Sequence, residues 1–449
     1  MESRMLEGHK RGIRTLAWSP DSKLLASSSY DNTIRIWDRQ GKLVQILKGH
    51  KSEVHMLAWS PDSELLASIN PGGGASSYIS AVLGLWRRNG ELIQMVQTPP
   101  VRALAWSPDG KFLATGAMNT MIGLWNTNGE LIKVLKGHIG PVFSLAWSPE
   151  NGLLASSSSA GEILLWDKDW NFTRAKHDVE RGATTKLKWS PDGKLLASFD
   201  GGNIVLWDDK GQHIKNFTGG IASASAHTED IMDVLWGPDG ELLASVSWDR
   251  TIQIWTNEGE CLKYLRVPDV RSDTRFFLVP RSLSWSLSAN IIASTYNDGI
   301  LRFLNTEAEC IGTSKLILFK KYSQSAFANP LIMALDMVDY DDKVSWSPDG
   351  KILAMWERTS NAIILFEWIS TDKIATMTIE EARDEDPEFT EEMEEQESCP
   401  ICHKLFNTDN VVYQCHYCRM IYHTLCILQW IINENHKMCP QCNNIFITR

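Results

Sequence analysis

Seven of the nine cysteines lie between Cys399 and Cys442, and with one histidine they form four pairs of a single spacing. The pairs are Cys399-x2-Cys402, Cys415-x2-Cys418, His423-x2-Cys426 and Cys439-x2-Cys442. Thiolates and neutral imidazoles are the donors that zinc prefers, and two such pairs complete one tetrahedral site. Four pairs therefore hold two Zn2+ ions with no donor left over. With four protein ligands each, neither ion keeps a position for water, so the metal is structural and not hydrolytic. Cys261 and Cys310, the remaining two, form no disulfide framework, which fits a reducing, cytoplasmic setting. His403, His416 and His436 read as surface residues.

The net charge of −11 is concentrated in one place. Residues 380–397 hold eleven acids and a single base, Arg383, and the rest of the chain is close to neutral. With few apolar residues, that stretch reads as a solvated, self-repelling tether between two domains. No basic stripe suggests nucleic-acid binding. No apolar run reaches the roughly 18 residues of a membrane helix, and the first residues, MESRMLEGHKRG, lack a signal-peptide core. No Ser/His/Asp, P-loop or glycine-rich phosphate signature suggests a conventional enzyme.

Upstream, the chain repeats itself. The phrase WSPDG or a close variant recurs with its Trp at 18, 59, 106, 147, 189, 236, 285 and 346. Each unit reads as an apolar strand ending in that Trp, a tight turn, a strand such as KLLASSS, an alternating strand such as TIRIWD, and a Gly turn into a fourth strand. Proline presets φ in the first turn, while Asp and Gly accept its remaining angles. Four short strands in each repeat of roughly 40–45 residues describe an all-β propeller. The chain here resembles the WD40-repeat family, through Gly8-His9, Gly49-His50 and Gly137-His138 with Trp37-Asp38, Trp166-Asp167 and Trp207-Asp208. The resemblance implies a β-propeller over 1–378, while the charge pattern marks an acidic linker over 379–397 and the ligand pairs a zinc-binding domain over 398–449. Eight blades are expected, with seven as the alternative, because Leu304 and Phe366 replace the second Trp in the last two units. It also implies that the residues before Gly8 close the ring as the outer strand of the last blade. His9 with Asp31, and His227 with Asp249, resemble the family's internal hydrogen-bond network and are expected to be structural.

Length variation points to the binding surface. The turns joining first to second and third to fourth strands stay short, whereas insertions fall at 69–81, 217–229, 266–280 and 313–341. All four map to one face, which marks it as the place for protein partners, whether substrate or complex subunits.

The zinc tail resembles RING domains, and in its middle spacing the variant RING of ubiquitin ligases such as Listerin. The carrying residues are Cys399-Pro400-Ile401-Cys402, Cys439-Pro440-Gln441-Cys442 and Trp430, four residues after Cys426. The resemblance implies a cross-brace, with Cys399, Cys402, His423 and Cys426 on one zinc and Cys415, Cys418, Cys439 and Cys442 on the other. It also implies that Ile401, Trp430 and Pro440 grip a ubiquitin-conjugating enzyme. PHD fingers share the ligand order and stay open as an alternative, although Lys437 stands where they usually carry Trp. Asn443 follows the last ligand, where many active RINGs have Arg or Lys. Three functions follow: a RING-type ubiquitin (or ubiquitin-like) ligase whose propeller recruits substrate, a non-catalytic scaffold subunit, and a chromatin reader. Metal analysis of the purified chain should return two zinc ions per molecule; none or one would remove the two-site reading.

Overall fold

The computed structural model describes residues 2–70, 80–175, 186–217, 227–266, 280–286, 291–296, 300–306, 310–315, 344–357, 361–367, 412–414 and 421–423. Strand β1 is Glu2–Leu6. Blade 1 holds β2 (Ile13–Trp18), β3 (Leu24–Ser29), β4 (Ile34–Asp38) and β5 (Leu43–Leu47). Blade 2 holds β6 (Met56–Trp59), β7 (Leu65–Asn70), β8 (Ala81–Arg87) and β9 (Leu92–Thr98). Blade 3 holds β10 (Val101–Trp106), β11 (Leu113–Ala117), β12 (Ile122–Trp125) and β13 (Leu131–Leu135). Blade 4 holds β14 (Val142–Trp147), β15 (Leu154–Ser158), β16 (Ile163–Trp166) and β17 (Phe172–Arg174). Blade 5 holds β18 (Lys186–Trp189), β19 (Leu195–Asp200), β20 (Asn203–Asp208) and β21 (His213–Asn216). Blade 6 holds β22 (Ile231–Trp236), β23 (Leu242–Ser247), β24 (Thr251–Thr256) and β25 (Cys261–Arg266). Blade 7 holds β26 (Pro280–Trp285), β27 (Ile292–Tyr296), β28 (Ile300–Leu304) and β29 (Cys310–Lys315). Blade 8 holds β30 (Val344–Trp346), β31 (Ile352–Glu357) and β32 (Ala362–Glu367).

Each of blades 1 to 7 is a sheet in chain order, and blade 8 runs β30-β31-β32 with β1 as its outermost strand. The amino-terminal strand therefore closes the ring as expected, and it covers an edge that would otherwise stay unpaired. The degraded last repeats still make full sheets, so the count is eight blades and not seven. Apart from the end residues Glu2, Ser3 and Glu367 of β1 and β32, these elements belong to one compact unit, Arg4–Phe366; Met1–Ser3 and Glu367–Arg449 form a second. In that second unit, β33 (Val412–Gln414) and β34 (Ile421–His423) pair antiparallel, with Val412 opposite His423.

Why eight sheets make a ring follows from where their apolar side chains point. Central strands are apolar on both faces, so every blade needs a neighbour on each side. One core forms between blades 1 and 2 around Ile36, Trp59 and Leu66, and the next between blades 2 and 3 around Leu83 and Trp106. The series continues to the core between blades 8 and 1, where Leu6, Ile13 and Trp18 pack with Ile352 and Leu365. The first strands of neighbouring blades touch in succession from β2 round to β30 and back, which places them nearest the axis.

The repeated first Trp ties these strands together. Trp59, Trp106, Trp147, Trp189 and Trp236 each donate the indole N–H to the carbonyl just before the preceding blade's Trp: Ala17, Ala58, Ala105, Ala146 and Lys188, at 3.0–3.2 Å. Trp18 makes the same bond across the closing interface, donating to Ser345 at 3.1 Å. The SPDG turns add a second band. In blade 1 the Ser19 hydroxyl donates to Asp21 at 2.6 Å and the Lys23 N–H returns to that carboxylate at 3.1 Å. Asp349 donates its N–H to Ser22 across the closing interface at 2.9 Å, and Arg39 pairs with Asp349 at 2.6 Å.

Two departures from the repeat have visible consequences. The turn between third and fourth strands uses Gly at positive φ in five blades, but in blade 4 Trp170 holds φ 67°. That conformation costs a bulky residue about 1–2 kcal/mol, and the ring is held by edge contacts with Phe112 at 5.4 Å and Trp147 at 6.0 Å. The second departure concerns the second Trp. In six blades its indole donates to a buried hydroxyl on the blade's second strand, as Trp255 does to Ser245 at 2.8 Å. In blade 7 Leu304 fills that place with no N–H to give, and the buried Ser294 hydroxyl has no partner among the described residues. Blade 8 replaces both members, with Phe366 and Met355, both buried, in their places.

A buried polar group stripped of its partner costs about 1–3 kcal/mol, whereas loss of both partners is nearly neutral. Ser245→Ala should therefore destabilise the propeller by about 1–3 kcal/mol, while Ser294→Ala should be neutral or stabilising. Urea unfolding of the two variants checks this; equal losses would show that the Ser294 hydroxyl has a partner after all.

Candidate functional site

Because strands within a blade alternate in direction, the second-to-third and fourth-to-first connections emerge at one end. The long connections lie there: between β7 and β8, β21 and β22, β25 and β26, and β29 and β30. A further one, between β17 and β18, was not singled out in the sequence. The interiors of these connections lie outside the described residues. The strands they join define a single inserted face.

On that face the first strand of five blades carries a β-bulge at the same place. Register shifts fall at Arg14, Arg102, Phe143, Met232 and Arg281. His55 holds the equivalent position in blade 2, its N–H donating to the Ile69 carbonyl at 2.9 Å. A bulge adds one residue against one partner and re-aims its side chain, and bulges cluster beside functional sites. Since the first strands line the axis, the bulged residues ring the rim of the inserted face. Each sits four positions before the first Trp of its repeat.

A second residue accompanies each bulge. Tyr30, Met118, Ser159 and Trp248 donate their N–H groups to Gly12, Pro100, Pro141 and Asp230, two residues before the bulged position, at 2.8–3.0 Å. The resulting pairs differ in chemistry from blade to blade. In blade 1 Arg14 donates to the Tyr30 hydroxyl at 3.0 Å, lies 5.5 Å from that ring's centroid, and donates to His55 Nδ1 at 3.2 Å. A ring nitrogen that accepts from a guanidinium carries no proton, so Nε2 bears it and faces Glu53 at 3.3 Å. In blade 6 the Trp248 indole donates to the Met232 sulfur. This rim can present cationic, aromatic and thioether groups to a partner; among the described residues it holds no nucleophile with an adjacent base.

Behind the rim lies the polar network that fixes the connections. His9 bridges Asp31 at 3.0 Å and Ser27 at 2.9 Å, and His227 bridges Asp249 at 2.8 Å and Ser245 at 2.7 Å, as expected of structural residues. Burial works against ionising Asp31, but hydrogen bonds from Thr33, the Lys10 N–H and His9 hold its carboxyl at about 2. Burial likewise opposes ionising Asp249, and His227 and Thr251 hold it at about 2. Blade 4 reaches the same end differently. Ala160 stands in the aspartate's place, and Glu162 accepts from His138 and from the Ile139 N–H, both at 2.7 Å. Blade 2 lacks the acid, its place taken by the insertion after Asn70. His50 still meets Ser68 at 2.8 Å, but its buried Nδ1 has no partner among the described residues, and burial pulls the imidazole down to about 4.

Of the expected zinc ligands, His423 lies on β34, while Cys399, Cys402, Cys415, Cys418, Cys426, Cys439 and Cys442 lie outside the described residues, as do Ile401, Trp430 and Pro440. The donor set itself, seven thiolates and one imidazole in pairs, fits Zn2+. Among the described residues no helix is long and apolar enough to cross a membrane.

Comparisons with known proteins agree with this geometry. Residues 102–324 match the family described as WDR19 first beta-propeller, and residues 2–38 and 41–78 match WD domain, G-beta repeat. Protein HIR1 of Cryptococcus neoformans is 26% identical over 149 residues, covering 33% of this chain and 14% of that protein. A subunit of chromatin assembly factor 1 from Mus musculus is 24% identical over 136 residues, covering 30% and 22%. The Mycosarcoma maydis protein named "Probable cytosolic iron-sulfur protein assembly protein 1" is 56% identical over 32 residues, 7% of each chain. The chain thus spans less than a quarter of each of these relatives. Among solved structures, the computationally designed Ika8 protein superposes with a TM-score of 0.59 at 20% identity, covering 81% of this chain and 98% of that one, a likeness of fold alone. Repeats, eight closed sheets and these matches together define a WD40-repeat protein with an eight-bladed β-propeller.

His50 yields a test of the network. The unfolded chain takes up this proton near pH 6.5, the folded one only near pH 4. Between those values the unfolded state binds more protons, so stability falls as pH falls, by about 3 kcal/mol in total. His50→Gln should flatten the pH dependence of urea unfolding between pH 6.5 and 4; an unchanged slope would place the titration elsewhere.

Proposed function

We propose that this protein is a RING-type ubiquitin (or ubiquitin-like) ligase. Its propeller recruits a protein substrate on the inserted face, and its C-terminal zinc module binds a charged conjugating enzyme. The observation that carries the reading is the conjunction of two features in one chain. One is a rim of re-aimed, chemically varied side chains on the face where the insertions gather. The other is the set of four ligand pairs with Ile401, Trp430 and Pro440 at the positions of a carrier-binding groove.

Cys399, Cys402, His423 and Cys426 would hold one zinc, and Cys415, Cys418, Cys439 and Cys442 the other. Bound zinc supplies rigidity to a domain too small to fold on its apolar core alone. Such a ligase donates no nucleophile; it holds the carrier thioester where a substrate lysine can attack, which is catalysis by orientation. A rim of binding groups is consistent with a recruiting role. The acidic stretch 380–397 would tether the two functions in a cytoplasmic protein.

The second reading is a non-catalytic scaffold subunit, with the zinc module as an interaction element. Asn443 favours it, and so do the names of two relatives, a chromatin assembly factor subunit and an iron-sulfur assembly protein. Thioester discharge onto free lysine, run with a panel of ubiquitin-charged carriers, separates the two. Acceleration that disappears in Ile401→Ala, in protein retaining both zincs, supports the ligase. No acceleration by the folded, metallated chain with any carrier leaves the scaffold.

A further inference from the structure

The rim is not uniform, and its asymmetry describes a partner. Over blades 1 to 3 the connections and bulges of the inserted face carry Lys10, Arg11, Lys51 and Arg102, all exposed and none in an ion pair among the described residues. The acids of that sector are mostly engaged: Asp31 is held by His9 and Thr33, and Glu53 faces His55. Half-buried Tyr30, in blade 1, and half-buried Phe143, on blade 4 next to Arg102's blade, add apolar surface at the two ends of the arc. Across the rim, blade 6 differs. Blade 6 presents Glu229 and Asp230, both exposed, beside Met232.

We infer that the arc from blade 1 to blade 4 seats an acidic, extended segment of a partner protein, with carboxylates on Lys10, Arg11, Lys51 and Arg102 and apolar side chains against Tyr30 at one end and Phe143 at the other. This rests on the reading of the inserted face as the partner-binding surface. Charge complementarity selects the occupant, because exposed cations without counter-charges attract anions and steer their approach. The acids of blade 6 limit that occupant to a short stretch of negative charge, since a long polyanion crossing the rim would meet Glu229 and Asp230. That favours a peptide over a nucleic acid. Exposure of the cations makes the attraction sensitive to salt.

The test uses the full chain and fluorescent peptides in a polarisation assay. The probes are short peptides of glutamate interspersed with leucine, the same peptides with glutamine for glutamate, and single-stranded oligothymidylate. Binding of the glutamate peptides, weakened by salt and reduced roughly tenfold by Arg102→Glu, is the expected result. Lys210→Glu, an exposed charge in a turn on the opposite face, should leave it unchanged. Three results would overturn the inference: equal binding of glutamine peptides or no binding of either, equal loss in both variants, or tighter binding of oligothymidylate at the same arc. Carrier discharge by a chain that ignores the acidic peptides would overturn this inference while leaving the ligase reading intact.

Discussion

A blade of four strands with apolar side chains on both faces cannot bury itself, and every other feature follows from that need. Each sheet must be covered twice, so sheets must follow one another until the last meets the first. The cores between neighbouring blades supply the drive, and in blades 1 to 6 the indole N–H of the first Trp fixes how one inner strand lies against the next. Because the donor is a side chain and the acceptor a backbone carbonyl, the link tolerates change elsewhere in the blade. Trp18 reaching Ser345 is the same bond made once more, across 327 residues of chain.

A frame fixed in this way leaves its rim free to vary. The bulge sets where a side chain projects without dictating which one, so Arg14, His55, Arg102, Phe143 and Met232 occupy one structural position with differing chemistries. Buried histidine networks behind them hold the connecting turns, and ionised Asp31 and Asp249 are kept charged by the same contacts that order the backbone.

Most of the fold was legible because the repeat is written in turn chemistry and in Trp spacing, both local signals. The eighth blade and the closing strand were foreseeable, since only the family resemblance was needed to assign the residues before Gly8. The substitution of Glu162 for the missing aspartate was not, because its carboxylate comes from two positions later in the turn. The rim residues were missed although a signal existed: the position four before each first Trp reads Arg, His, Arg, Phe, Thr, Met, Arg and Asp while its neighbours repeat. Variation inside an otherwise constant strand is the mark of a side chain that faces no core. Insertion lengths drew attention to the right face, but a one-residue bulge changes no length that a repeat alignment registers.

Closure by β1 also sets an order of events during synthesis. The strand that completes blade 8 is made first, and its partner β32 is the last strand of the propeller to emerge. At ribosomal rates of about 5–20 residues per second, Glu2–Leu6 waits roughly 20–70 s before Ala362–Glu367 exists to receive it. Until then blade 1 stands without blade 8, and its half of the core with Ile352 and Leu365 faces solvent. The growing propeller therefore carries an open seam until its last strand is made, and a helper protein that shields blade 1 would matter most before the ring has shut.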